Sequence, residues 1–176
     1  MSENESRPVV VGVDGSAAAQ AALQWAVEDA RRRGCAVEAV SAWHPDYGAL
    51  IGPVPAEIWR EITPEALKSA RRVVLDEAVA AVTGAGDVEV RKVLVEGDAR
   101  DVLTKAAQGA ALLVVGSRGH GTFVGAVLGS VSNYCVHHSP CPVVVVRDDR
   151  VEREARAAKA VEAAQTALPL TPGPLL

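Results

Sequence analysis

Ala111-Leu112-Leu113-Val114-Val115-Gly116-Ser117-Arg118-Gly119-His120-Gly121-Thr122-Phe123-Val124-Gly125-Ala126-Val127-Leu128-Gly129-Ser130 is the stretch on which the reading of this chain turns. Residues 111–115 are wholly apolar, which suits a strand covered on both faces of a parallel sheet. A glycine-rich run, 116–129, then leads into a helix expected from about Ser130 to His138. In open α/β sheets ligands bind at that position, beyond the C-terminal end of a strand. Glycines there let the backbone turn tightly and approach a ligand without a Cβ in the way. The N–H groups and dipole of the helix N-terminus favour an anion. Ser130 offers a hydroxyl at the cap position, and Ser117, Arg118 and Thr122 add donors. The pattern reads as a phosphate site, or else as a plain turn. It is not a Walker A loop, because no Gly-Lys-Ser/Thr follows, and the first strand lacks the three-glycine dinucleotide turn.

The rest of the chain repeats strand and helix in alternation. Pro8–Val13 reads as a first strand, ended by the Asp14-Gly15-Ser16 turn, with Ser16 as helix N-cap. Ala19, Ala22, Leu23, Ala26, Val27 and Ala30 form one apolar stripe at helical period. Arg31, Arg32 and Arg33 complement the dipole of that helix's last turn, and Gly34 is its C-cap glycine. Residues 35–43 read as a second strand and 44–64 as a long Gly- and Pro-rich loop carrying Trp59. A helix is expected over about 65–82, with Ala66, Ala70, Val73, Val74 and Ala81 on its buried side and Gly84 and Gly86 at its end. Residues 87–95 read as a third strand with a solvated face or edge. Asp98 caps the helix that follows, whose stripe is Ala99, Val102, Leu103, Ala106 and Ala107. Pro142–Arg147 is the fifth strand. Strict β-α alternation predicts a single Rossmann-like or flavodoxin-like α/β domain over 7–148, an open parallel sheet with helices on both faces. Residues 149–176 read as an appended tail, part helical and part disordered.

Composition narrows the function. The net charge of −4, with acidic and basic residues interspersed, leaves no nucleic-acid footprint. No apolar run approaches the ~18 residues of a membrane span, and the polar N-terminus has no signal-peptide core, so a cytoplasmic location is expected. Three cysteines, Cys35, Cys135 and Cys141, do not make a disulfide framework and fit a reducing compartment. Adjacent His137 and His138 match no zinc spacing, so no metal site is expected. Cys135 lies on an apolar stripe with Val127, Leu128, Val131 and His138 and reads as a buried, inert thiol. Asp14 has two open readings. It accepts from a ribose hydroxyl or helps hold Mg²⁺ near phosphates, or it caps the helix after it.

Four motifs resemble the universal stress protein family. They are Gly116-x2-Gly119-x9-Gly129-Ser130, Val10-Val11-Gly12-Val13-Asp14-Gly15-Ser16, Ala22-Leu23-x-Trp25-Ala26, and His138-x2-Cys141-Pro142 followed by four valines. The first has the spacing of that family's ATP-binding members. The likeness covers roughly residues 7–147. It implies a five-stranded sheet of order 3-2-1-4-5. It also implies an ATP site, with Mg²⁺, built from Gly12, Val13 and Asp14 under the nucleoside and the main chain of Ala42 at adenine. Gly116, Gly119, Gly129 and Ser130 would hold ribose and phosphates, lined by Ser117, Arg118, His120, Gly121, Thr122 and Val131. It further implies a homodimer through strand 142–147 and a nucleotide-dependent regulator acting on a protein partner. The competing readings are a slow ATPase or nucleotidyl-transfer enzyme, with Asp14, Mg²⁺ and His120 as the minimal set, and a nucleotide-free stress interaction module. The absence of paired carboxylates and of a clear general base near the loop weighs against the enzyme.

Overall fold

β-Branched runs pair into the sheet and alanine-rich stripes cover it. The computed structural model describes residues 7–44, 63–82, 85–119 and 128–148. The elements in order are β1 (Val9–Gly12), α1 (Ala17–Arg33), β2 (Val37–Trp43), α2 (Pro64–Ala80), a 3₁₀ turn (Ala85–Asp87), β3 (Val90–Glu96), α3 (Ala99–Ala106), β4 (Leu112–Gly116), α4 (Ser130–His138) and β5 (Val143–Val146). All pairings are parallel, in the order β3-β2-β1-β4-β5. The expected sheet is therefore the observed one.

Alternation along the inner strands divides the core into two layers. Val9, Val11, Val13, Val37, Ala39, Leu112 and Val114 point to α1 and α2. Val10, Val40, Leu113 and Val115 point to α3 and α4, against Val102, Leu103 and Cys135. Strands buried on both faces need apolar residues at every position, which is why β1 and β4 carry no alternation. Burial of a side chain such as Leu23 or Leu113, both 0% exposed, stabilises the fold by ~1.5–3 kcal/mol.

The helix ends follow their signals. Ser16 Oγ accepts from the Ala19 N–H at 3.2 Å, and Gly34 takes the left-handed conformation at φ 67°. Asp98 Oδ1 accepts from the Arg100 N–H at 2.9 Å, and its carboxylate is also gripped by the Arg100 guanidinium at 2.8 Å. Those bonds, the guanidinium first, hold the Asp98 carboxyl down at about 2 from an ordinary value of 3.8. A depressed carboxyl stabilises the fold above its unfolded value and ceases to do so as pH falls through the folded one. The Asp98 contribution is therefore expected to disappear between about pH 4 and pH 2. Asp98→Ala is expected to cost ~0.5–2 kcal/mol at neutral pH through the lost cap. In urea melts the gap between variant and wild type should narrow toward pH 2.

The structure corrects several expectations. The buried residues of α2 are Leu75 and Ala78, followed by Val82, whereas Val73 is 53% exposed and Ala66, Ala70 and Ala81 are exposed. Only the C-terminal half of α2 rests on the sheet. Its N-terminal half overhangs a groove, so the apolar stripe read from periodicity describes a different face. The α2 C-cap is Ala81, and Gly86 belongs to the 3₁₀ turn. The N-cap of α4 is Gly129, which leaves Ser130 as the first helical residue, exposed. His138 is also exposed rather than on the buried stripe, stacked on Tyr134 with ring centroids 4.0 Å apart. Cys135 is fully buried, and burial pushes its thiol up to about 11, so it is inert. The tail 149–176, loop residues 45–62 and Trp59 among them, Gly84, Val127 and the segment His120–Thr122 lie outside the described residues.

Candidate nucleotide site

Every βα turn on one rim of the sheet sits at a strand's C-terminal end. The order 3-2-1-4-5 makes β1 the point where the chain switches direction, and β1 and β4 diverge there into helices on opposite faces. That arrangement opens a crevice at the end of β1. Beside it lies a groove of about 1210 Å³. Asp14, Gly15, Ser16, Ala17 and Gln20 form one wall, and Ala42, Trp43 and His44 the end of β2. Leu67, Ala70, Arg71 and Val74 of α2 face them, and Gly97, Asp98 and Ala99 close the far end. The walls are mostly apolar with a few convergent polar groups, the usual make-up of a small-molecule site. Lys68 sits over the Trp43 ring at 5.8 Å.

Asp14 stands at the centre. Its Oδ1 accepts the Ser16 N–H at 2.9 Å, so the capping-type role is real. The same carboxylate lines the groove, and its Oδ2 lies against Gly119, where a Cβ would collide with it. Asp14 thus braces the turn ahead of α1, whose N-cap is Ser16, and stands at the groove. The Ser16 hydroxyl also reaches the Arg118 carbonyl, at 3.4 Å. Through these contacts the start of the β4–α4 segment touches the β1 turn.

The glycines of the β4 segment have unlike duties. A Cβ on Gly116 would meet the Ala18 carbonyl carbon at 2.8 Å and the Ala19 nitrogen at 2.9 Å, so this glycine lets β4 pass under α1. Gly119 leaves room for the Asp14 carboxylate. Gly129 caps α4 and donates its N–H to the Ser117 carbonyl at 2.7 Å. Ser117 is buried, and its own N–H goes to the Val146 carbonyl at 2.7 Å. The main-chain N–H groups of Ser117 and Gly129 are thus spent inside the protein. At this end the first-turn N–H groups of α4 have no partner within the helix, as at any helix N-terminus.

Of the expected residues, the structure brings Asp14 and Ala42 into the groove, with Gly119 and the Arg118 carbonyl against the Asp14 turn. Val13 is 4% exposed and points into the core, and a Cβ at Gly12 would face Leu103 at 3.0 Å, so only their main chain is near the rim. Val131 packs on the α3–α4 core layer. Three residues escaped the sequence reading. Ser132 ties its hydroxyl to the Ser117 and Gly129 carbonyls, both at 3.0 Å. Trp43 was read only as the end of a strand. Arg71 reaches the Asp14 carbonyl at 3.1 Å across 57 residues of chain. The one local hint for Arg71 was a cation beside the small residues of an otherwise apolar helix face. Among the described residues no cluster of three His, Cys, Asp or Glu groups is placed to hold a metal ion. No described helix is long and apolar enough to cross a membrane.

Known proteins share this architecture. A universal stress protein crystallised in complex with cAMP superposes with a TM-score of 0.60 at 26% identity, covering 80% of this chain and 96% of that one. The universal stress protein UspA from Lactobacillus plantarum gives a TM-score of 0.59 over 82% of this chain and all of its own, at 24% identity, a likeness of fold. A universal stress protein of Mycobacterium tuberculosis is 33% identical over 156 residues, 84% of this chain and 50% of the relative. The chain spans about half the length of the curated relatives it matches. The model of the universal stress protein family matches residues 5–147, which takes in every described element from β1 to β5. The chain belongs to the universal stress protein family.

Proposed function

We propose that this protein binds an adenine nucleotide, ATP with Mg²⁺, in the groove at the ends of β1 and β2, and acts as a nucleotide-dependent regulator of a protein partner. The observation that carries the reading is the convergence on Asp14. A carboxylate, the main chain of Ala42 and the glycine-cleared start of the β4 segment meet beside a groove of about 1210 Å³, ample for a nucleoside. The cAMP complex of the related universal stress protein supports an adenine nucleotide as the class. Asp14 takes the ribose hydroxyls, Ala42 meets the base, and the α4 N-terminus, with Ser130, attracts the phosphates. Mg²⁺, when bound, would neutralise phosphate charge, and Asp14 is the carboxylate we assign to hold it, although Glu77 and Asp98 also line the groove. Occupancy acts by population shift, favouring the conformers that bind nucleotide better.

Calorimetry with ATP, with and without Mg²⁺, and with cAMP as competitor tests the reading. Saturable ATP binding displaced by cAMP is the expected result. No binding by the wild type up to millimolar ATP would sink it. Single against repeated turnover then separates a regulator from an ATPase.

The β5 edge supports a homodimer. The Pro142 and Val146 carbonyls accept from Leu113 and Ser117 of the β4 side, both from even-numbered positions. By the alternation of a parallel ladder, Val143 and Val145 present their N–H and C=O groups to the open edge. β3, the other edge, carries Arg91, Lys92 and Glu96 as charged guards, whereas β5 is four valines. An unguarded apolar edge invites a second strand. Val145→Pro removes an outward N–H and leaves the β4 ladder in place. It is expected to convert a dimer to a monomer in light scattering. An unchanged mass would exclude this edge. Three free thiols suit a reducing, cytoplasmic setting.

A further inference from the structure

We propose that Arg71 of α2 is a positioning residue of the nucleotide site, acting through Asp14; this rests on the groove being that site. The bond from Arg71 Nη1 to the Asp14 carbonyl is 3.1 Å long and half-buried. The carbonyl belongs to the peptide joining Asp14 to Gly15, and Gly15 sits at φ 88°. A peptide plane next to such a glycine turns over easily, because no Cβ resists either orientation. A flip would turn the Asp14 carbonyl over and disturb the turn on which the carboxylate rests. The bond from the Ser16 N–H to Oδ1 braces that turn locally. Arg71 braces it at the carbonyl, from the far wall of the groove.

Asp14 is consequently held from three directions. Ser16 N–H takes Oδ1 at 2.9 Å, Gly119 bounds Oδ2, and Arg71 holds the carbonyl. Each contact comes from a different segment: the start of α1, the β4 segment and α2. Beside Arg71 the α2 wall is formed by Leu67, Ala70 and Val74, with Glu77, Ala78 and Ala81 further along. Arg71 therefore couples the placement of α2 to the geometry of the carboxylate that meets the ribose.

The test is a double-mutant cycle on the full chain with two probes, adenosine and ATP. Arg71→Met is expected to weaken both by the same factor, roughly 10-fold, the loss that follows when a charge-assisted hydrogen bond is removed. In an Asp14→Ala background the same substitution is expected to change neither affinity, because nothing remains for it to position. Arg71→Lys, which keeps a donor and a charge, should recover part of the loss. Equal affinities of Arg71→Met and wild type would overturn the proposal. So would a loss for ATP but not adenosine, which marks a phosphate contact, or a full effect persisting in Asp14→Ala, which marks direct contact with ligand. A wild type that binds neither probe overturns the site itself, and is told apart from these by the wild-type titration alone. Should Arg71→Met not fold, Arg71→Gln, read in the same cycle, replaces it.

Discussion

Gly119→Ala is expected to lower ATP affinity by roughly 10- to 100-fold, the range set by losing one hydrogen bond to a charged group. The reason is the collision between the new Cβ and Asp14 Oδ2. The backbone at Gly119 has no positive φ, so alanine is not strained there for its own sake. The obstacle is the far end of a side chain, which can move. The Asp14 carboxylate swings aside, loses its 2.9 Å bond to the Ser16 N–H and leaves the position from which it meets a ribose. Folding should suffer little, because the displaced carboxylate moves toward the open groove. Calorimetry on the variant, paired with a thermal melt, checks both halves. Gly86→Ala is the control. It lies in the 3₁₀ turn, away from the groove, and its Cβ would meet nothing within 4 Å, so affinity should match wild type. A Gly119→Ala protein that binds ATP as wild type does would remove Asp14 from the site.

Gly116→Val is expected to have the opposite profile, a large loss of stability whether or not nucleotide is present. Here a Cβ would lie 2.8–3.0 Å from three main-chain atoms of Ala18 and Ala19, in the first turn of α1. Backbone cannot rotate out of the way as a carboxylate can. The helix itself must lift from β4, opening the packing of Ala19, Ala22 and Leu23 on Val114. Overpacking of this kind costs ~1–3 kcal/mol and more when the neighbour is rigid. A domain of this size then loses about 2–4 °C of Tm per kcal/mol. A differential scanning melt within 2 °C of wild type, a margin below one such step, would show that α1 adapts and that the close approach is not structural. The two glycines stand three residues apart in one motif, yet one leaves room for the Asp14 carboxylate and the other for a helix.

Much of the fold was legible because its determinants are local or periodic. Val9–Val11 and Leu112–Val115 are apolar at every position, as strands covered on both faces are. Ser16, Asp98 and Gly34 announce helix ends through bonds spanning two to five residues. The Ala19–Ala30 stripe is read directly from its spacing, and every one of its members is buried. The pattern failed on α2. Periodicity shows that a helix has an apolar face, not where the sheet ends beneath it. Leu75 is buried in the core layer while Leu67, Ala70 and Val74 line a groove, a distinction that exists only once the helix is docked on the sheet.

The site divides in the same way. A glycine-rich turn after a buried strand and a carboxylate ending the first strand pointed to one rim of the sheet, and the structure brings Gly119 and Asp14 together there. Sequence could not allot roles within it, because those depend on which atoms meet across the fold. Gly116 faces α1, Gly119 faces Asp14 and Gly129 spends its N–H on Ser117. Arg71 meets Asp14 only once α2 is packed beside the sheet, and 57 positions of sequence separate the two. Short-range hydrogen bonding and hydrophobic period thus determined the elements and their order. The meeting of Arg71, Asp14 and Gly119 was decided by tertiary packing, since a contact between distant residues exists only once the sheet and its two helix layers are in place.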